Sequence, residues 1–363
     1  MKPAKVALVH DWLTGMRGGE KVLEAILEMF PEAEVFTLFH FRGSVSETIE
    51  HRRIHTTRLQ SWAERVDDYR KLLPFFPRAI RQWRLNDFDL ILSSSHCVAK
   101  GVSAPNVPHV CYCHTPMRYI WDRFDDYFPR REPFKRAAAT LLASRLRQWD
   151  VRTAATVNRF VANSEFVRDR IRRYYGRDAE VVYPFVDDRF FELPLEESRD
   201  DFHLMITALV PYKRVELAVE AARLGGKNLV IIGGGPLRER LEESRGSPVE
   251  FLGKASSEVI VDRLRKARSL IIPGVEDFGI TALEAMASGT PVVAYREGGV
   301  LESVGDERCG IFFDEATPEA LLVALERSES VAWDRAGLRA RAREFSKERF
   351  QRELMTRIEP TTA

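Results

Sequence analysis

Short apolar runs alternate along this chain with longer stretches whose apolar positions recur at helical spacing. In the first half, Val6-Ala-Leu-Val9, Val35-Phe-Thr-Leu-Phe39, Leu90-Ile-Leu-Ser-Ser-Ser95, His109-Val-Cys-Tyr-Cys113 and Arg159 to Ser164 read as strands. Helical patterns cover 22–29, 62–83, 133–157 and 165–175, the last N-capped by Ser164. The second half is more regular. Strands at 203–208, 228–232, 249–252, 269–272, 292–295 and 310–313 alternate with helices at 215–224, 237–244, 256–267, from about 279, and after a Thr317 cap. Such alternation predicts parallel sheets covered on both faces, an α/β class. The polar run 192–201 reads as a linker, which divides the chain into 1–190, 191–336 and a basic helical tail, 337–358. Residues 359–363 are expected to fray.

The densest chemistry lies between Pro273 and Pro291. A buried strand ends at Pro273-Gly274, and a loop with Glu276, Asp277 and Phe278 leads into a helix that Gly289 and Pro291 close. In a parallel sheet this is the carboxyl edge, where open α/β folds bind ligands. The backbone N–H groups of Gly279, Ile280 and Thr281 lack helical partners and suit a phosphate. Glu276 and Glu284 flank that anion site, and carboxylates bind hydroxyls rather than phosphate. Hydroxyls on both sides of a pyrophosphate describe a nucleotide sugar.

The segment P-G-V-E-D-F-G-I-T-A-L-E-A-M-A-S-G-T-P-V-V, with seven residues between its glutamates, resembles the E-x7-E signature of the retaining GT-B glycosyltransferases of family 4. That resemblance implies two Rossmann-like domains facing across a cleft. It also implies an acceptor side in the first domain, a nucleotide-sugar side in the second, and a last helix returning toward the first.

Composition narrows the alternatives. The 363 residues carry a net charge of +1, which argues against a nucleic-acid partner. No apolar run reaches membrane-span length, and Met1 to Asp11 reads as a first strand rather than a signal peptide. The four cysteines show no metal spacing and read as buried thiols, with a reducing cytoplasm as the expected compartment. From Arg118 to Arg173, fourteen Lys/Arg face seven Asp/Glu. With the run Arg70-Lys-Leu-Leu-Pro-Phe-Phe-Pro-Arg78, that excess is either a solvated face or a peripheral contact with anionic membrane.

The loop Gly15-Met-Arg-Gly18-Gly19-Glu-Lys21 links the first strand to its helix but matches neither the dinucleotide nor the Walker pattern. The resemblance casts Gly18 and Gly19 as close backbone contacts of the donor diphosphate and acceptor. Asp87-Phe-Asp89 precedes a strand, the end away from ligand, and reads as a capping turn rather than a metal site. His114 ends a strand before Thr115-Pro116. The resemblance makes it a candidate near the donor sugar, with Arg118 weaker.

In the second half, Leu209-Val-Pro-Tyr-Lys213-Arg214 follows a strand and opens a helix. Two cations there oppose the helix dipole and so fit an anion, a leaving diphosphate, with no metal or other cofactor required. The family has an arginine where this chain has Ala208, and Arg214 is expected to substitute. Phe251-Leu-Gly253-Lys254 resembles the family's base-binding turn. The triple glycine at 233–235 is either a donor approach or a plain turn. The runs Y-C-H-T-P-M-R-Y and V-P-Y-K-R resemble the mannosyltransferase branch of surface-polysaccharide assembly. The expected activity is metal-independent hexose transfer, mannose from GDP-mannose, to a glycan or lipid-linked acceptor. The rivals are a nucleotide-sugar 2-epimerase of the same fold and a catalytically silent nucleotide-sugar binder.

Overall fold

The computed structural model describes residues 5–127, 133–195, 198–243 and 248–358. The tail at 359–363, part of the linker at 196–197, the end of the 237–244 helix and part of the basic stretch at 128–132 lie outside them. The chain divides into two compact units, Met1–Tyr183 with Phe350–Ala363, and Pro184–Arg349. The division falls before the boundary read at 190, because the stretch after Tyr183 is tied into the second unit: the Val186 N–H donates to the Phe345 carbonyl at 3.0 Å.

The first unit is built on seven parallel strands, β1 (Val6–His10), β2 (Glu34–Thr37), β3 (Ile54–Thr56), β4 (Leu90–Ser95), β5 (His109–Cys113), β6 (Arg159–Ala162) and β7 (Glu180–Val181). Their order, β3-β2-β1-β4-β5-β6-β7, reverses direction between β1 and β4. Such a switch point opens a crevice at the carboxyl ends of the two strands. In register, His10 lies opposite Ser94.

Asp11 closes that edge. Its buried carboxylate accepts backbone N–H bonds from His96, Cys97, Val98 and Ala99 at 2.6, 3.0, 2.6 and 2.7 Å, and its own carbonyl accepts from Leu38. Burial pushes its carboxyl up, but His96, His10 and those backbone donors outweigh burial and hold it below the usual carboxylate range. A depressed folded-state pKa contributes stability above the unfolded value, near 3.9, that is lost as pH falls through the folded one. Asp11→Asn is therefore expected to cost roughly 2–3 kcal/mol at pH 7 and progressively less below about pH 4. Urea melts at neutral and acid pH check this; an equal loss at both would be wrong for the account.

Two expectations for this unit change. The 62–83 stretch is not one helix but short pieces at Gln60–Ala63, Tyr69–Phe75, Phe76–Ala79 and Ile80–Gln82. Pro74 and Pro77 lack the N–H a continuous helix needs. The helix after β1 starts earlier than read, at Gly18, and runs to Met29. Asp87 and Asp89 precede β4; the Asp89 carboxylate accepts the Lys5 backbone N–H at 2.9 Å. All four cysteines are buried thiols.

The second unit has six parallel strands, β8 (His203–Ile206), β9 (Leu229–Ile232), β10 (Val249–Gly253), β11 (Leu270–Ile272), β12 (Val292–Tyr295) and β13 (Gly310–Phe313), in the order β10-β9-β8-β11-β12-β13. The chain reverses between β8 and β11, which sets a second switch point there. Thr317 caps the helix Pro318–Ser330, as its position predicts, by accepting the Ala320 N–H at 3.2 Å. The tail read as one helix is two, Arg335–Arg343 and Lys347–Ile358. Within the first unit, the second of these sets Phe350 edge-on against Tyr112, ring centroids 5.6 Å apart.

Candidate active site

In the second unit, a pocket forms at the switch point, between the ends of β8 and β11. Met205, Ile206 and Thr207 line it from one strand, Ile271, Ile272, Pro273 and Gly274 from the other, and Lys213, Glu276, Gly279 and Thr281 close it. Lys213 Nζ lies 2.5 Å from Glu276 Oε1. Gly279 takes a left-handed conformation, φ 87°, that turns the chain into the helix Ile280–Ala287. The opening N–H groups of that helix carry no intrahelical bond, so a fixed cation, a carboxylate and a helix N-terminus converge on one recess.

Two glycines hold this arrangement together. A Cβ on Gly274 would sit 2.6 Å from the Tyr212 carbonyl oxygen, so its absence lets the Lys213 loop approach β11. A Cβ on Gly299 would sit 2.0 Å from the Asp277 oxygen. The Gly299 N–H donates to the Glu276 carbonyl at 2.8 Å, and Glu276 bridges Gly298 in parallel. The turn after β12 therefore fixes the Glu276 loop, a role not read from the sequence. Gly299→Ala should displace that loop while sparing the sheet. The expected result is a fall in kcat/KM of at least about tenfold, from a shift of order 1 Å, with little change in melting temperature. Unchanged kinetics would show that the loop is held by other contacts.

The remaining expected donor residues separate. Glu284 is buried, 9 % exposed, within the helix. Phe278 is buried too, and its ring lies 5.6 Å from that of Phe345. Its side chain is buried and is not among those that line the recess. Arg214 does not line the recess. Its guanidinium lies 4.5 Å from the Tyr295 ring centroid and donates to the Pro273 carbonyl at 3.4 Å. Among the described residues it is the non-glycine residue with positive φ, 52°, a conformation that costs roughly 1 kcal/mol. Gly253, φ 72°, ends the edge strand β10 and exposed Lys254 follows it, beyond β9 from the recess. Ala208 is exposed on the loop after β8.

At the first unit's switch point, side chains from four segments meet. His114 Nε2 is 2.8 Å from Ser94 Oγ, and Ser94 Oγ is 3.1 Å from His10 Nδ1. His10 Nε2 lies 3.9 Å from Glu20 Oε1. Gly18 and Gly19 open the helix above this chain; a Cβ on Gly19 would meet His10 Cε1 at 3.7 Å and His114 Nε2 at 3.8 Å. His10, Glu20 and Ser94 were not candidates from sequence. The available signal was the position of His10 and Ser94 at ends of buried strands, which periodicity alone does not mark as chemical. Among the described residues, no cluster of His, Cys, Asp and Glu is arranged to hold a metal ion.

Comparison with known proteins completes the assignment. Residues 16–190 match the model of Glycosyltransferase Family 4, and residues 187–349 that of Glycosyl transferases group 1. A Methanocaldococcus jannaschii protein described as an uncharacterized glycosyltransferase is 30% identical over 203 residues, 53% of this chain and 56% of its own. The alpha-1,3/1,6-mannosyltransferase of Saccharomyces cerevisiae is 27% identical over 282 residues, covering 62% of this chain and 54% of the yeast protein. A GDP-mannose-dependent alpha-(1-6)-phosphatidylinositol monomannoside mannosyltransferase of Mycobacterium tuberculosis is 30% identical over 209 residues, 48% and 54% of the two chains. The chain thus spans about half the length of these curated relatives. Sucrose-phosphate synthase from Thermosynechococcus elongatus superposes with a TM-score of 0.73 at 18% identity, covering 97% of both chains. Anabaena HepE in complex with UDP does so at 0.67 and 15%, covering 97% of this chain and 98% of HepE. Those two likenesses establish the fold. Two consecutive family matches and two parallel-sheet units together give the chain the two halves of a GT-B fold.

Proposed function

We propose that this protein is a retaining hexosyltransferase that moves mannose from GDP-mannose to a glycan or lipid-linked acceptor without a metal ion. The observation that carries this reading is the Lys213–Glu276 pair at the mouth of a helix N-terminus on a switch point. The diphosphate would rest on the N–H groups of Gly279, Ile280 and Thr281 and on Lys213. Glu276 would accept bonds from the transferred sugar, Glu284 from the ribose, and Gly253-Lys254 would read the base. Gly18, Gly19 and His114 form the acceptor side. The acceptor oxygen bonds to the anomeric carbon as the carbon–phosphate-oxygen bond breaks on the same face, and the leaving phosphate oxygen takes the acceptor proton. The developing charge on the diphosphate is what Lys213 and the helix stabilise. Mannosyltransferases among the relatives support the sugar, and the UDP complex of HepE supports a nucleotide-bound donor.

Docking to anionic membrane belongs to the same reading. Trp62 and Phe75, each 49 % exposed, pack edge to face, and Arg65, Arg70 and Lys71 lie between them in the sequence. Among the described residues no helix is long and apolar enough to cross a membrane.

Arg214 enters this reading as a residue that must turn from Tyr295 to reach phosphate. Ala208→Arg, on the exposed loop after β8, is expected to lower donor KM about tenfold, one charge-assisted bond of roughly 1.5 kcal/mol. An unchanged KM would mean that Arg214 already supplies that bond. The reading as a whole is tested by thermal shift with GDP-, UDP- and ADP-sugars. Stabilisation by GDP-mannose above the others, lost in Lys213→Ala, is expected. Stabilisation by none of them would overturn it.

A further inference from the structure

The recess of the second unit carries its own counter-charge, and that decides which anions it accepts. Of the side chains that line it, Lys213 and Glu276 are the charged ones, one of each sign. Both are anchored through the backbone. Lys213 ends the turn Pro211–Lys213, which its N–H closes on the Val210 carbonyl at 3.1 Å. Glu276 is held by Gly298 and Gly299. From those anchors the two side chains meet at 2.5 Å, with Lys213 14 % and Glu276 22 % exposed, so the pair is more shielded than a surface one. Arg214, the neighbouring cation, is turned to the Tyr295 ring and the Pro273 carbonyl. The recess therefore enters binding with its fixed cation already neutralised.

An ammonium has three N–H donors, so Lys213 can bond a phosphate oxygen without leaving Glu276. The obstacle to a bare anion is charge, not the number of bonds. A diphosphate alone gains the ammonium and the helix N–H groups, but it is set against a carboxylate to which it offers no donor. A diphosphate that carries a sugar brings hydroxyls, which donate to that carboxylate and turn the repulsion into a bond. We propose that Glu276 is a specificity-determining residue that makes the recess reject anions without an attached sugar, nucleoside diphosphates and inorganic pyrophosphate alike. Its charge weakens their binding about tenfold. The same charge that helps to hold the intact donor thus helps to expel the nucleotide left after transfer. The identity of the ligand rests on the nucleotide-sugar reading, whereas the neutralised recess does not.

The test is a thermal-shift titration of the intact chain with inorganic pyrophosphate, GDP and GDP-mannose, from which apparent affinities follow. Glu276→Gln is expected to bind pyrophosphate and GDP about tenfold more tightly than wild type, and GDP-mannose no more tightly. Glu276→Asp keeps the charge and should stay within about threefold of wild type for pyrophosphate. The melting temperatures without ligand show that each variant is folded. Pyrophosphate and GDP bound no more tightly by Glu276→Gln would overturn the proposal. So would a gain in Glu276→Asp equal to that in Glu276→Gln, or a gain for GDP-mannose as large as that for GDP. The expected pyrophosphate gain in a protein whose wild type binds no GDP-, UDP- or ADP-sugar would instead defeat the nucleotide-sugar reading, and leave a recess that rejects bare anions.

Discussion

Glu276→Gln is expected to lower kcat/KM for sugar transfer by about 10²–10³, with kcat falling more than KM rises, while the melting temperature stays within a few degrees. The glutamate is half-buried at the recess, 2.5 Å from Lys213. Its carboxylate can do two things that an amide of the same shape cannot. On the proposed reading it would accept a charge-assisted bond from a sugar hydroxyl, and it holds the Lys213 ammonium by charge where the diphosphate would leave. Together these are worth roughly 3–4 kcal/mol, which is the stated factor. The fold is spared because the Glu276 backbone, not its side chain, bridges Gly298. Steady-state kinetics with a melting curve check both halves. Activity within a factor of three of wild type would remove Glu276 from the reaction.

The second large effect is on stability. Asp150 is fully buried and accepts from Lys100 Nζ, from Trp121 Nε1 at 2.9 Å and from Tyr175 Oη at 2.9 Å. It ties the turn after β4, which Asp11 also holds, to the helices Pro133–Ala154 and Glu165–Tyr175. Burial and the charge of Asp150 push the Tyr175 phenol well above its usual range, so it remains a donor. Asp150→Ala leaves the Lys100 ammonium, 1 % exposed, without its counter-charge. Breaking a buried pair from one side costs about 3–5 kcal/mol, and for a unit of this size the melting temperature should fall by roughly 6–20 °C. Removing both charges with Lys100→Met and Asp150→Leu is expected to recover much of that loss. A single variant that melts within 2 °C of wild type would mean the pair is not sealed from water.

Much of this was legible in the chain, for identifiable reasons. The strands Val292–Tyr295 and Gly310–Phe313 have the bounds their apolar runs predict, because a strand buried on both faces has no polar positions to blur its ends. The Ser164 and Thr317 caps likewise accept the N–H groups three residues on, a purely local interaction. What was not legible is what depends on distant partners. Nothing near Arg214 announces that its guanidinium stacks on Tyr295, and nothing near Gly299 announces the Asp277 carbonyl. The pairing of His10 with Ser94 spans 84 residues and follows only from the β1–β4 register. The 62–83 segment failed for a different reason. Its aromatic residues recur at near-helical spacing, but Pro74 and Pro77 interrupt the backbone.

The central claim is hexosyl transfer with retention from a nucleotide donor held by the Lys213–Glu276 recess. Proton NMR of the reaction with GDP-mannose and a simple glycoside acceptor, run with and without EDTA, measures it most directly. The predicted result is a new glycosidic anomeric signal of the donor's own configuration, appearing at the same rate in both samples and lost in Glu276→Gln. An inverted anomer, a free epimer without transfer, or a signal abolished by EDTA would contradict it.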